Sequence, residues 1–153
     1  MFIGMLLLLI PFQATFLDSM SLFGMRPDLC LITACLIGFW VGHTQGFALG
    51  FFLGFAQDLF SPGELWLNAL TKAGVGYLSG LSAKHLANIN PRSAFIQIMI
   101  FSLLSGVIFS LSSRVDMDIN EVLKSFPRVI LPQAVFDGII GLGANWVIAR
   151  WSA

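Results

Sequence analysis

LCLITACLIGFWVGHTQGFALGFFLGFAQ, from Leu29 to Gln57, is a run of 29 residues without a single Asp, Glu, Lys or Arg. A transmembrane helix takes about 20 predominantly apolar residues, within a range of roughly 17 to 25. The run is therefore long for one helix and short for two. Its only polar break is Gly42-His43-Thr44-Gln45-Gly46, with a glycine at each end. Glycines at 38, 42, 46, 50 and 54 recur every four residues. On one continuous helix of 3.6 residues per turn this row would rotate by roughly 40° at each step. Splitting the run gives each half a compact small-residue stripe, so the spacing predicts two short helices, about 28–42 and 46–60. A single tilted helix is the competing reading.

The rest of the chain has the same character. Of 153 residues, 57% are hydrophobic and 10% are charged, against about 25% charged in an ordinary soluble domain. Eight basic and eight acidic residues cancel, which excludes a nucleic-acid binder working through a basic face. The hydrophobic fraction excludes intrinsic disorder and predicts an all-α integral membrane protein in one polytopic domain. Further spans are expected at about 2–23, 65–83, 94–111 and 129–148, six in all. The first lacks the positive n-region of a cleavable signal and is expected to be retained. Ser61-Pro62-Gly63-Glu64 resembles a capping box ahead of the fourth span. Between Arg114 and Arg128, Val115, Ile119, Val122, Leu123 and Phe126 share one helical face, which predicts an interfacial amphipathic helix at about 115–126.

The connection with Lys84, His85 and Arg92 carries no acid, whereas the one with Asp58 and Glu64 carries no base. The positive-inside rule then places the basic connection and both termini in the cytoplasm. Trp40, Trp66, Trp146 and Trp151 fall near span ends, where indoles anchor at the interface.

Four ionisable residues lie where lipid is expected: Asp18, Asp58, Lys72 and Asp137. An unpaired charge at the bilayer centre costs at least about 2.5–3.5 kcal/mol, so such residues face the bundle interior and pair. Asp58, Lys72 and Asp137, with Asn68 one turn from Lys72, form the expected intramembrane polar cluster, with Asp58 or Asp137 as the partner of Lys72. Asp18, near the outer end of its span, can reach water. Cys30 and Cys35 would stand roughly 8 Å apart on one helix, beyond disulfide reach, and are read as packing residues. His43 and His85 have no acid in sequence to orient them toward Ser79 or Ser82. No nucleophile elbow, zinc motif, paired carboxylates or phosphate loop is present, so no enzyme, cofactor or metal is expected.

Several motifs resemble the rod shape-determining protein MreD family. They are Arg26-Pro27-Asp28-Leu29, the stretch Gly50-Phe51-Phe52-Leu53-Gly54-Phe55-Ala56-Gln57-Asp58-Leu59, Leu67-Asn68-Ala69-Leu70 and Gly76-Tyr77, with Phe12 to Leu17 ahead of them. The resemblance covers about residues 10 to 80. It implies a six-helix bundle similar to the S components of energy-coupling-factor transporters, in the bacterial inner membrane. It also implies a non-enzymatic scaffold of the cell-elongation machinery. The implied direct partner is MreC, and through it MreB, the transpeptidase PBP2 and the glycosyltransferase RodA. Gly42, Gly46, Gly50, Gly54, Phe51 and Phe55 are then the expected interface for the MreC transmembrane helix. That interface competes with plain packing of the glycines inside this chain. The alternative function is an S-component-like subunit that grips a small molecule at Asn68, Lys72 and Asp137. Membrane lipid is a further expected contact.

Overall fold

The computed structural model describes residues 27–60, 66–85, 91–112 and 126–151. The expected span at 2–23, Asp18, the capping box at 61–64 and nearly all of the amphipathic segment lie outside them. The described residues form five α-helices. They are α1 (Leu29–Val41), α2 (His43–Phe60), α3 (Leu67–His85), α4 (Pro91–Ser112) and α5 (Leu131–Trp151), the last preceded by one π-helical turn at Phe126–Ile130.

The long uncharged run does divide, and its break is sharper than the five-residue turn expected. Asp28 starts α1 as N-cap, its carboxylate accepting from the Leu31 amide at 3.0 Å. Gly42 ends it at φ 133°, a backbone conformation open to glycine and closed to most L side chains. Its amide donates back to the Gly38 carbonyl at 3.2 Å. One residue therefore turns the chain from α1 into α2.

What holds α1, α2 and α3 together is the absence of side chains. A Cβ at Gly46 would overlap the backbones of Gly38 and Gly76, and one at Gly50 would overlap the Lys72 carbonyl. A Cβ at Gly54 would meet the Asn68 carbonyl, and one at Gly80 the backbone of His43. α2 thus runs antiparallel to α3 with the two backbones touching along their length, while α1 lies against both. Small residues permit this approach where lipid supplies no hydrophobic drive between helices. α4 and α5 form a second pair, in which Gly138 faces the Phe95 ring and Gly141 faces Ile98. The two groups meet over an apolar seam of Leu31, Ile32, Cys35 and Leu36 from α1, Val75 from α3, and Ile98 and Phe101 from α4. Pro132, which has no amide to donate, is the second residue of α5, one residue past the π-helical turn.

Two of the described helical segments are long and apolar enough to cross a membrane, Arg92–Ser112 and Phe126–Arg150. The expected count of six is not reached. α1 has 13 residues, about 20 Å at 1.5 Å per residue, against a hydrocarbon thickness of about 30 Å. α2 and α3 have the length but are diluted by polar residues, among them Gln45, Gln57, Asp58, Asn68, Thr71, Lys72 and Ser79.

The polarity of the two long segments is inverted relative to a soluble bundle. On α4, Ile96, Ile100, Leu104, Ile108 and Leu111 form an exposed outward stripe, while Gln97, Ser102 and Ser105 are buried. On α5, Ile139, Trp146 and Val147 face out while Asp137 and Asn145 are buried.

Candidate functional site: the buried polar chain and the groove beside it

The polar residues turned inward form one connected chain that draws on all five helices. At one end is Asp58, near the C-terminus of α2. Its Oδ1 accepts from the Asn68 amide at 3.1 Å and from Asn68 Nδ2 at 2.8 Å, and its Oδ2 accepts from the Ala69 amide at 2.9 Å. These amides are unsatisfied donors of the first turn of α3, where the helix dipole also favours negative charge. Trp66, the residue before α3, has no side-chain acceptor with which to cap it. A carboxylate from the neighbouring helix does so instead. Asp58→Ala should therefore cost about 0.5–2 kcal/mol, the range for losing a helix cap. Thermal unfolding in detergent would measure it, with faster hydrogen exchange at Asn68 and Ala69 as the local signature. Asp58→Asn, which keeps an acceptor, should lose less.

Asn68 passes the chain on, its Oδ1 accepting from Lys72 Nζ at 2.7 Å. Lys72 is fully buried and pairs with Asp28 at 2.8 Å. The expected partners were Asp58 or Asp137, and neither is the one found. Asp58 is held by the start of α3, whereas Asp28 projects from the start of α1, which runs parallel to α3 at that level. Asp28 was visible in the sequence as the residue between Pro27 and an apolar run, the position of an N-cap. Its role as counter-ion rests on the helix pairing and had no local signal.

From Asp28 the chain reaches Asp137, whose Oδ1 accepts from the Asp28 backbone amide at 3.1 Å. Its other oxygen accepts from Ser102 Oγ at 2.5 Å. The four expected cluster residues are thus brought into one chain, completed by Asp28 and Ser102. Lys72 also lies over the Phe109 ring, 5.9 Å from its centroid. With Asp28, Asn68 and that ring around it, the ammonium is occupied by internal partners. The arrangement joins helices rather than presenting a charge to a ligand. Cys30 and Cys35 are buried free thiols on α1, and Cys35 Sγ lies 3.4 Å from Ser79 Oγ.

The expected partner-helix interface is distributed differently. Gly46, Gly50 and Gly54 are buried against α3 and Gly42 forms the turn, so the glycine stripe is filled by this chain itself. Phe51 and Phe55 stack at 6.2 Å with their planes 4° apart. They lie on α2, only partly buried. Trp66 closes on them, 5.2 Å from Phe55 and 6.5 Å from Phe51. It does so at φ 81°, a conformation that costs a non-glycine residue about 1–3 kcal/mol and persists only where its surroundings enforce it.

Further along the same edge an open groove of about 400 Å³ is lined by His43, Thr44, Phe47, Gly74 and Tyr77. The Tyr77 ring packs edge-on against both His43 (5.5 Å) and Phe47 (6.4 Å). A Cβ at Gly74 would meet nothing within 4 Å, so this glycine leaves a notch in the outer surface of α3. A two-residue step places it on the opposite side of α3 from Gly76.

No family model, curated protein or solved structure matches the chain.

Proposed function

We propose that the chain is a non-enzymatic, multi-pass scaffold of the bacterial inner membrane, of the MreD kind. In this reading both termini are cytoplasmic and the chain docks the transmembrane helix of MreC. Through MreC it helps to position the elongation synthases. The observation that carries the membrane part is the inverted polarity of α4 and α5, with Ile and Leu outside and Gln, Ser, Asp and Asn inside. Water would leave that apolar stripe uncompensated, whereas lipid matches it. The scaffold part is supported by the order of motifs from Asp28 to Tyr77. It is supported further by a polar chain whose groups bind one another. α1, α2 and α3 belong to the membrane domain in this reading, α1 as a short helix and α2 and α3 with Asp58 and Lys72 turned inward.

The docking surface in this proposal is the α2–α3 edge at Phe47, Gly74 and Tyr77, since the glycine stripe is filled. A partner helix would seat a side chain in the Gly74 notch between the two aromatic rings. Gly74→Leu tests it, because the new side chain fills the notch without touching the fold. Co-purified and crosslinked MreC should fall about tenfold or more, equal to about 1.4 kcal/mol, with thermal stability no lower than that of the wild type. Wild-type MreC capture by a folded Gly74→Leu chain would sink this docking site.

A further inference from the structure

Among the described residues, the backbone of α2 does not come within 8 Å of α4 or α5, nor that of α3 within 8 Å of α5. Within those residues the two helix groups meet through α1 and a short approach of α3 to α4. Within each group, helices interlock on glycines. Between them lies the apolar seam, a surface of aliphatic and aromatic side chains with no backbone interlock. In lipid such a surface has no hydrophobic drive behind it, and polar contacts carry more of the association.

Among the described residues, polar contacts are placed along the seam. The Asp28 amide donates to Asp137 at 3.1 Å. Trp40 Nε1 donates to the buried Asn145 at 2.7 Å. Gln97 Nε2 donates to the Ser79 carbonyl at 3.4 Å and to Ser82 Oγ. The ring of Phe109 on α4 covers Lys72 on α3. The seam is also incompletely satisfied, because Gln97 Oε1 is buried without a hydrogen-bond partner. An unmet buried acceptor marks an arrangement that is held at some cost.

We infer that α4 and α5 form a single movable body, clasped to α1–α3 by Asp137 and Asn145, and that this body shifts across the face of α1 when the clasps open. Motion of this kind, in which packed helices slide on a smooth interface while each body stays intact, is shear. Asp137 suits the role of clasp because it joins both bodies, accepting from Ser102 in its own and from Asp28 in the other. Asn145 suits it because its partner Trp40 lies near the opposite end of α1, so the two clasps together fix the register of the seam.

The test is double electron–electron resonance on the full chain in lipid nanodiscs, with nitroxides on exposed positions. Leu78→Cys with Leu142→Cys reads the distance between the bodies. Leu78→Cys with Phe52→Cys reads α1–α3 alone, and Leu104→Cys with Leu142→Cys reads α4–α5 alone. The native Cys30 and Cys35 are buried and should not label. In Asp137→Leu/Asn145→Leu the between-body distribution should shift and broaden while both within-body distributions stay as in the wild type. An unchanged between-body distance overturns the inference, because the clasps then hold nothing. A changed within-body distance overturns it too, because the groups are then not independent bodies.

Discussion

Lys72→Met should destabilise the folded chain by about 3–5 kcal/mol, the cost of leaving a buried charge without its counter-ion. Asp28 is the residue stranded. Its carboxylate would lose the ammonium at 2.8 Å and stand next to a second carboxylate at Asp137. Asn68 would also lose the ammonium that it accepts from at 2.7 Å. The loss should be read as a lowered unfolding midpoint in detergent and lower yield from membranes. Removing both charges separates the worth of the pair from the damage of halving it. In Asp28→Asn/Lys72→Met the asparagine still caps α1, and a buried pair replaced by neutral groups is often close to neutral. The double variant should therefore recover most of the stability lost in Lys72→Met. If it is no better than the single variant, the Lys72–Asp28 pair is not what the methionine breaks.

Two glycines two residues apart should respond in opposite directions. Gly76→Ala places a methyl group into the backbone of Gly46, and no rotamer can relieve a Cβ. Overpacking of this kind costs about 1–3 kcal/mol and sometimes more, and Gly76→Leu should prevent α2 from seating on α3 at all. Gly74→Ala meets nothing within 4 Å and should stabilise the chain by up to about 1 kcal/mol, the helix-propensity advantage of alanine. Thermal unfolding of the two alanine variants side by side decides the matter. Equal midpoints would mean that α2 and α3 do not approach as closely as the glycine contacts require. The same contrast limits what substitutions in the stripe can say about partners. Gly50→Leu or Gly54→Leu would lose partner binding through loss of the fold, whereas Gly74→Leu acts on the outer surface alone.

The described part of α3 starts at Leu67 and takes its cap from Asp58. Asp58 was legible as a buried acid seeking a partner. That its partner is a helix terminus rather than Lys72 was not legible, because a helix end presents positive charge without any basic residue to announce it. The glycine row was legible as a packing stripe. Which helix would fill it was not.

Composition and periodicity alone determined that this chain is helical and strongly apolar. They also divided the run from Leu29 to Gln57 near Gly42 and required that Asp58, Lys72 and Asp137 find partners. Those are one-dimensional properties, since hydropathy, turn chemistry and the cost of an unpaired charge act on a residue wherever it folds. The tertiary structure decided who meets whom: Lys72 with Asp28, Asp58 with the start of α3, Asp137 with Ser102 and the Asp28 amide, and Gly46 with Gly76. Pairing depends on the direction and depth at which helices pass one another. A step of two residues along α3 turns a side chain by about 200°, which is the whole difference between Gly76, closed against α2, and Gly74, open at the surface.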